Sequence, residues 1–581
     1  MNDTLLLIAT FLGFMALVAV ITYFKTNESN LDTADGYFLA GRSLSGIVIA
    51  GSLLLTNLQA SNFVGMSGQA YDFNMCVMGW EVGSGITLIL VALFLVPRYL
   101  KQGITTIPEF IESRFDKGTK NFVSILFLLL YIVNMLPVTL YSGAVAIAGI
   151  FHVDKILGIT YVQSIWLMVW IIGIIGSIYA IFGGLRAVAI SDTINGIALV
   201  IGGLAVPFFG LIAIGKGSIG AGFTKFLSTS PEKFNAIGSA SDPLPITACL
   251  TGLVLVNLYY WGTDQSIIQR ALGGKSLAES QKGVMLAGFL KILTPLILII
   301  PGIMAYQILN PADVTNSDLA YSLFVNAVLP TPVAGFVAAA MMGAILSTFN
   351  SVLNSSATLF AINVYKPKWG KNKTDAELVK VGKVFGGIIA VLAMFTAPLI
   401  MNTGTGLFDY LQTVNGFFNV PIFTIIFMGY MTKRVSPIAA KVGLVFFVGC
   451  YATTQLVWDT GLHYLHVSAI LFVVTCLIMY VIGKIAPRKE PFELPNNHLV
   501  DETPWKNRFR MAGFITWLML SFYVIFSKIG LAREGGTSSI TWISILALAV
   551  VCGTVSLLLE KKFVKKDSAR EQSQSKERLT A

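Results

Sequence analysis

Charge is scarce in this sequence. Only 12% of its 581 residues are charged, whereas soluble proteins carry about a quarter, and 55% are apolar, with a mean hydropathy of +0.74. No stretch is both long and polar enough to form a soluble domain. The five cysteines are scattered, so neither a disulfide framework nor a cysteine metal site is expected. These shortages predict a protein that lies mainly within a lipid bilayer.

Long apolar runs are what the sequence has in abundance. A run of about 20 residues spans a bilayer, and about fifteen such runs are present. They lie near residues 4–24, 44–66, 77–97, 121–149, 161–182, 187–215, 246–262, 283–306, 333–365, 381–401, 405–432, 442–459, 465–483, 511–528 and 538–559. The first run is too long for a signal-peptide core and lacks a basic start, so we expect it to be the first span.

Positive charges are divided unevenly between alternate loops. If the N-terminus lies outside, the outside loops hold only Lys155, Lys216, Lys225, Lys233 and Arg533 of the 40 lysines and arginines. Three more (Lys291, Lys383 and Lys528) lie in spans, and all the others fall in inside loops. The positive-inside rule therefore predicts an outside N-terminus and an inside C-terminus. The net charge of +10 follows from this pattern, so no nucleic-acid partner is expected.

Polar residues interrupt the second run. The stretch SLLLTNLQASNFVGMSG, residues 52–68, carries Asn57 and Asn62 deep in an apolar segment, and the seventh run carries Asn257 in LVLVNLYYWG. Because five spans separate the two runs, the second unit starts in the opposite orientation. Paired, interrupted helices in inverted units predict a substrate site at the bilayer midplane.

Ionisable residues inside spans are costly and indicate function. Glu81 lies in WEVGS with Ser84 one turn further on, and Lys291 lies in GFLKILTP. Two interpretations are open. Glu81 and Lys291 neutralise each other as a packing pair, or both are hydrogen-bonding groups of a polar binding cavity. We favour the cavity because asparagines and glutamines occur in the same pattern.

The ninth run offers oxygen ligands for a cation. Ala344, Ser347 or Thr348, Ser351 and Ser355 recur at the three-to-four spacing that places them in one helical stripe. Hydroxyl and carbonyl oxygens suit a hard cation such as sodium, and the lack of a carboxylate favours a monovalent ion over calcium. The alternative is that small hydroxyl residues let helices pack closely. No catalytic constellation is present, so an enzyme is not expected.

Seven stretches carry a family resemblance. They are GYFLAGRSL (36–44), NFVGMSG (62–68), TIPEF (106–110), YAIFGGLRAV (179–188), NLYYWGTDQSIIQR (257–270), FLKILTP (289–295) and LSTFNSVLNSSATLF (346–360). Together they resemble the solute:sodium symporter family, especially its sodium/glucose cotransporter branch and bacterial sodium/galactose transporters. The resemblance implies an all-α polytopic membrane protein with a LeuT-like core of two inverted five-helix repeats and extra flanking helices.

The same resemblance implies a division of the chain. Its parts are an N-terminal extra helix and inside loop (1–43), the first repeat (44–215), an outside loop (216–245), the second repeat (246–432), accessory C-terminal helices (433–559) and a basic inside tail (560–581).

Sodium ligands follow from the resemblance position by position. The implied set comprises the backbone carbonyls of Leu55, Leu58 and Ala344 and the hydroxyls of Ser347 and Thr348. A second sodium, or sodium coupling, is implied at Asp192 and Ser351. Asn350 stands where the family has a small residue, which argues against the second sodium.

Substrate contacts are implied in the same way. The solute-binding set is Asn57, Asn62, Glu81, Ser84, Asn257, Lys291 and Gln412. The gate set is Met66, Trp80, Tyr260, Trp261 and Phe408. Asn62 stands where the galactose transporters have a glutamine, which shortens one arm of the site. Amides, one carboxylate and one ammonium can match the donors and acceptors of sugar hydroxyls.

The expected function is sodium-coupled import of a sugar or sugar-like solute, such as a hexose, inositol or an acidic or sulfonated sugar, by alternating access. The expected location is a bacterial inner membrane, with sodium and a small solute as ligands and no obligate protein partner. Alternatives are a sodium symporter for proline, a vitamin, sialic acid or an anion, and a membrane sensor that binds solute without moving it.

Overall fold

A computed structural model of the protein describes residues 3–26, 42, 44–104, 107–182, 184–403, 406–495, 497 and 500–580. Within these ranges every named element is helical, and the strand-like pairings are two isolated bridges, Leu44 with Gly274 and Ser276 with Asp501. The expectation of an all-helical protein is confirmed.

The first half of the described chain contains nine main helices. They are α1 (Asp3–Thr26), α2 (Gly46–Asn57), α3 (Ala60–Asp72), α4 (Met75–Gln102), α5 (Ile107–Arg114), α6 (Lys117–Phe151), α7 (Tyr161–Phe182), α8 (Gly184–Ile214) and α9 (Ile219–Thr229). Short π-helical turns occur inside α4 and α6.

The second half of the described chain contains twelve main helices. They are α10 (Gly252–Gly262), α11 (Gln265–Leu272), α12 (Leu277–Ile308), α13 (Ala320–Val328), α14 (Thr331–Lys368), α15 (Asp375–Thr396), α16 (Leu407–Gly416), α17 (Asn419–Met431), α18 (Pro437–Leu456), α19 (Tyr464–Ile485), α20 (Arg508–Ile525) and α21 (Ser539–Thr580).

The number of spans agrees closely with the sequence expectation. In the described chain, 13 helical segments are long and apolar enough to cross a membrane, and the bent pair α2–α3 makes 14. The remaining predicted span, residues 246–262, is formed by the short helix Ile246–Cys249 and by α10. Orientation in the membrane, and the division into repeats at 44–215 and 246–432, stay predictions.

The predicted interruption of the second span is a sharp bend. The axes of α2 and α3 differ by 63°, because Leu58 (φ −74°, ψ 94°) and Gln59 (φ −112°, ψ 158°) have extended backbone. The amide of Asn62 donates to the carbonyl of Asn57 at 2.9 Å. Polar side chains therefore replace part of the helical hydrogen bonding that the bend removes, as a break in an apolar medium requires.

The second interruption lies elsewhere than the sequence suggested. Residues 257–262, NLYYWG, are helical within α10, and the chain departs from the helix on either side, at Leu250–Thr251 and at Thr263–Asp264. A Cβ added at Gly252 would lie 2.0 Å from the carbonyl oxygen of Leu465. The helices α10 and α19 thus approach each other closely at Gly252, directly after the break at Leu250–Thr251.

The helix α14 lies at the centre of the bundle. It packs against α1, α6, α7 and α8, and its first half contains the run AAAMMGA at residues 338–344, all of it buried. Small side chains let neighbouring backbones approach closely, which is the usual way helices associate in membranes.

Arg114 joins the short helix α5 to the end of α17. Its side chain is fully buried and donates to the carbonyls of Gly429 at 2.8 Å, Thr432 at 2.9 Å and Val435 at 3.1 Å. The guanidinium also lies 4.6 Å from the ring centre of Phe115. Burial lowers its pKa to about 10, so the group stays charged at neutral pH and complements the negative end of α17.

We expect Arg114→Leu to destabilise the protein by about 3 kcal/mol, because three carbonyls at the end of α17 lose a charged donor. The thermal-unfolding midpoint in detergent measures this loss. Arg510→Leu is the matched control, since Arg510 pairs with Glu560 while its side chain stays 62% exposed. Equal midpoints for the two variants would contradict the assigned role of Arg114.

Candidate functional site

A cavity of about 100 Å³ lies beside the bend between α2 and α3. It is lined by all seven residues of the predicted solute-binding set and all five of the gate set: Asn57, Asn62, Glu81, Ser84, Asn257, Lys291, Gln412, Met66, Trp80, Tyr260, Trp261 and Phe408. These residues come from six helices, of which α2, α3 and α4 are consecutive in the chain and α10, α12 and α16 lie far from them in sequence. The structure therefore gathers the two predicted sets in one place.

Lys291 of α12 forms the centre of the polar network. Its side chain is 1% exposed, and its ammonium donates to the carboxylate of Glu81 and, at 2.5 Å, to the Asn57 amide oxygen. The ammonium also lies 5.8 Å from the ring centre of Trp261. The two interpretations of Glu81 and Lys291 are thus compatible, because the residues neutralise each other and also line the cavity.

Thr294 is a site residue that the sequence analysis missed. Its buried hydroxyl donates to the same carboxylate oxygen of Glu81 that Lys291 contacts. Thr294 lies one helical turn after Lys291 in FLKILTP, so spacing along the helix could have identified it. With two donors on one oxygen, the carboxylate is held in a fixed orientation.

One amide extends the network that centres on Lys291, and a second amide lies elsewhere on the cavity wall. The Asn57 side chain donates to the Tyr260 hydroxyl at 3.1 Å. Separately, the Ser84 hydroxyl lies 3.4 Å from the Asn257 amide oxygen, and both residues line the same cavity. The Asn257 amide nitrogen is buried and has no hydrogen-bond partner in the described chain, so it is a donor available to a molecule in the cavity.

Gln412 is held by a second amide chain. Asn415, one turn further along α16, donates to the Gln412 amide oxygen at 3.3 Å, and Asn134 of α6 donates to the Asn415 amide oxygen at 2.9 Å. Neither Asn134 nor Asn415 was singled out from sequence. Their polar side chains orient Gln412 toward the cavity that it lines.

The predicted gate residues form two aromatic pairs. Phe408 of α16 and Trp80 of α4 meet edge to face with ring centres 5.4 Å apart, and a Cβ added at Gly65 of α3 would lie 3.0 Å from Phe408. Tyr260 and Trp261 of α10 form the other pair, at 5.1 Å. Phe408 therefore closes α16 against α3 and α4.

The helix α8 connects the two parts of the predicted sodium set. A Cβ added at Gly196 would lie 2.8 Å from the Leu55 side chain, and one added at Gly343 would lie 2.2 Å from the side chain of Asn195. Adjacent residues of α8 thus contact the bend at Leu55 and the turn of α14 that contains Ala344. Sequence reasoning missed Asn195, whose amide oxygen is buried without a partner in the described chain.

The backbone at the bend has carbonyls free for a cation. Leu54 and Gln59 carbonyls accept from the N–H groups of Leu58 and Asn62, both at 3.0 Å. In the described part of the chain, the carbonyls of Leu55 and Leu58 accept no hydrogen bond across the bend. Carbonyl oxygens of this kind are suitable ligands for a hard cation.

Two hydroxyls of α14 are also free. Ser347 and Thr348 are half-buried, and neither makes a hydrogen bond within the described residues. In contrast, Ser356 and Thr358 on the same helix donate to carbonyls one turn back, at 2.8 Å and 2.9 Å. The oxygen atoms of Ser347 and Thr348 are therefore available as ligands.

The residues implied for a second sodium are less well defined. Ser351 is exposed, and the side chain of Asp192 lies outside the described residues. Asn350 is fully buried, and both atoms of its amide lack a partner in the described structure. The described part of the chain contains no cluster of three or more His, Cys, Asp or Glu side chains able to hold a metal.

Known proteins with similar sequences or folds are transporters. Residues 37–449 match the sodium:solute symporter family. The chain is 45% identical over 552 residues, 95% of each chain, to a protein of Escherichia coli (strain K12) named "Uncharacterized symporter YidK". It is 35% identical to the sodium/glucose cotransporter of Vibrio parahaemolyticus, over 72% of this chain and 79% of that one.

A solved structure shares the fold. The substrate-bound, outward-open Na⁺-coupled sialic acid symporter matches with a TM-score of 0.68 at 20% identity, over 84% of this chain and 99% of that one. This likeness shows the fold, a LeuT-like core of inverted five-helix repeats with flanking helices.

We expect Lys291→Met and Glu81→Gln each to destabilise the protein by about 3 kcal/mol. Lys291→Met leaves the buried carboxylate of Glu81 without its partner, and Glu81→Gln leaves the buried ammonium of Lys291 without its partner. The double variant should be less destabilised than the sum of the two, since neither charge remains. Thermal-unfolding midpoints of the three variants in detergent measure this coupling. Additive losses would contradict a direct ion pair.

Proposed function

We propose that this chain, which belongs to the sodium:solute symporter family, couples inward sodium flow to the uptake of a neutral sugar or sugar-like solute. It is a multi-pass membrane transporter and not an enzyme, and its bacterial relatives place it in a bacterial inner membrane. The observation that carries the proposal is the cavity centred on Lys291, Glu81 and Asn57.

The chemistry of the cavity suits a ring of hydroxyl groups. Each sugar hydroxyl both donates and accepts, and the cavity offers the amides of Asn57, Asn257 and Gln412 beside one carboxylate and one ammonium. Trp80 and Phe408 add apolar ring surface. The name of the Vibrio relative, a sodium/glucose cotransporter, supports the same solute class.

The ion pair favours a neutral solute over an acidic one. Because Lys291 is neutralised by Glu81, an acidic sugar, sialic acid or an inorganic anion would find no uncompensated ammonium there. Burying the negative charge of such a solute without a positive partner would cost several kcal/mol. Proline and a vitamin are the alternative solutes within the family, but neither would form as many hydrogen bonds with the amides of the cavity as a polyol.

We assign one sodium to the carbonyls of Leu55, Leu58 and Ala344 and the hydroxyls of Ser347 and Thr348. The free carbonyls at the bend and the free hydroxyls on α14 support this set, and α8 links the two. Each sodium moved across 100 mV supplies roughly 2.3 kcal/mol, which is enough to drive appreciable accumulation of solute.

Sodium dependence tests the coupling. In proteoliposomes loaded without sodium, an inward sodium gradient should raise solute uptake at least tenfold over a potassium gradient. Ser347→Ala/Thr348→Ala should abolish this stimulation, because two of the five cation ligands are lost. Ser356→Ala is the matched control on the same helix, since its hydroxyl is already bonded to Val352. Equal stimulation in both variants would refute the sodium assignment.

A solute panel tests the class of substrate. Radiolabelled glucose, galactose, xylose, myo-inositol, glucuronate, sialic acid and proline are compared in the same proteoliposomes. Uptake should be confined to neutral sugars or inositol. Glu81→Ala should weaken binding of the best solute at least tenfold, because it removes a hydrogen-bond acceptor and leaves the charge of Lys291 unbalanced. Preferred uptake of glucuronate, sialic acid or proline would overturn the assignment to a neutral sugar.

A further inference from the structure

A buried carboxylate lies at the beginning of the helix that carries Phe408 and Gln412. Asp318, in the short turn Ser317–Leu319 between α12 and α14, is 3% exposed. One of its carboxylate oxygens accepts the backbone N–H of Leu407, the first residue of α16, at 3.2 Å. The other lies 3.4 Å from the Tyr141 hydroxyl. N–H groups of a first helical turn have no partner within the helix, and a negative charge there is favourable.

The turn that holds Asp318 is wedged against α3. A Cβ added at Gly68 would lie 2.8 Å from the carbonyl oxygen of Ser317, so the two backbones are nearly in contact. The N–H of Asp318 is itself bonded to the Asn316 side chain at 2.9 Å. The carboxylate is therefore presented to α16 from a rigid support.

Two further contacts hold α16 on the same side of the cavity. Gln69 of α3 donates to the Asp409 carboxylate at 2.7 Å, and Phe408 packs against Gly65 and Trp80. By the predicted orientation, this side of the cavity faces outside. These two contacts involve side chains of α16, whereas the carboxylate of Asp318 binds the backbone at the beginning of that helix.

Within the described residues, Asp318 is held by hydrogen bonds and has no positively charged partner. The charges that face it most strongly are those of Asp72 on α3 and Asp409 on α16, both negative, and the neutral phenols of Tyr141 and Tyr161 lie on α6 and α7. Burial, reinforced by these carboxylates, raises its pKa to about 6. The stabilisation that Asp318 gives to the position of α16 thus depends on its hydrogen bond with the Leu407 N–H.

We propose that Asp318 is a positioning residue that latches α16 in its closed position over the outer side of the cavity. The proposal rests on the transport function proposed above, in which α16 must leave this position for solute to enter from outside. Loss of the latch shifts the population toward the outward-open form, since it removes an interaction made only when α16 is closed.

The test measures access to the cavity directly. Met66 lines the cavity beneath α16, so a cysteine introduced by Met66→Cys reports its opening. Its modification by a membrane-impermeant, positively charged methanethiosulfonate added outside is followed by mass spectrometry in sodium buffer. Asp318→Ala should raise the modification rate about tenfold, as expected for loss of one charge-assisted hydrogen bond. Asp318→Asn keeps an acceptor for Leu407 and should restore the slow rate.

Controls separate gating from unfolding. Asp313→Ala, an exposed acid in the same loop, should leave the rate unchanged, and the buried natural Cys76 should stay unmodified throughout. Leu407→Pro removes the N–H and leaves Asp318 intact. Proline is tolerated at the first helical position, so this variant should match Asp318→Ala.

Two results would overturn the latch: equal rates in the Asp318→Ala and Asp313→Ala variants, or a slow rate in Leu407→Pro. If Cys76 were modified together with the cysteine at position 66 in both Asp318→Ala and Leu407→Pro, Asp318 would act in overall folding. This result would also overturn the proposed latch. Because the labelling needs no transported solute, a failed uptake panel would leave this result interpretable.

Discussion

The bend between α2 and α3 is the constraint on which the site depends. In an apolar medium every backbone polar group needs a partner, and the break of 63° between α2 and α3 interrupts the helical hydrogen bonds. The Asn62 side chain replaces one of them. The carbonyls of Leu55 and Leu58 are left without one in the described structure, so a bound cation is the partner that would complete the break.

Fixed charges stabilise the far ends of the same broken helix. Glu279 of α12 accepts the N–H of Gly46, the first residue of α2, at 2.5 Å. Lys233, from the loop after α9, donates to the last carbonyls of α3, those of Tyr71 at 2.7 Å and Asp72 at 3.1 Å. Each charge has the sign that its helix end favours. The outer ends are thereby compensated, and the two ends that meet at the bend remain open to ligands.

Much of the site could be predicted because polar residues in apolar runs are rare and costly. Asn57, Glu81 and Lys291 were visible for that reason, and the structure brings them into direct contact. Thr294 and Asn195 were missed because a threonine or asparagine alone often serves packing, and only the fold shows which partner it faces. The second break was misplaced because it coincides with a close approach between α10 and α19, which depends on tertiary packing rather than on local polarity.

The groups proposed to bind sodium and those proposed to bind solute are close neighbours along one short segment. Leu55 and Leu58 offer carbonyls, while Asn57 and Asn62 line the cavity and are joined to each other by a hydrogen bond. An ion that fixes the carbonyls of the bend must therefore also restrict the orientation of the two amides. Restricting them in advance reduces the ordering that solute binding requires. By linkage the solute strengthens ion binding by the same factor, so coupling can arise at the bend without a long pathway between separate sites.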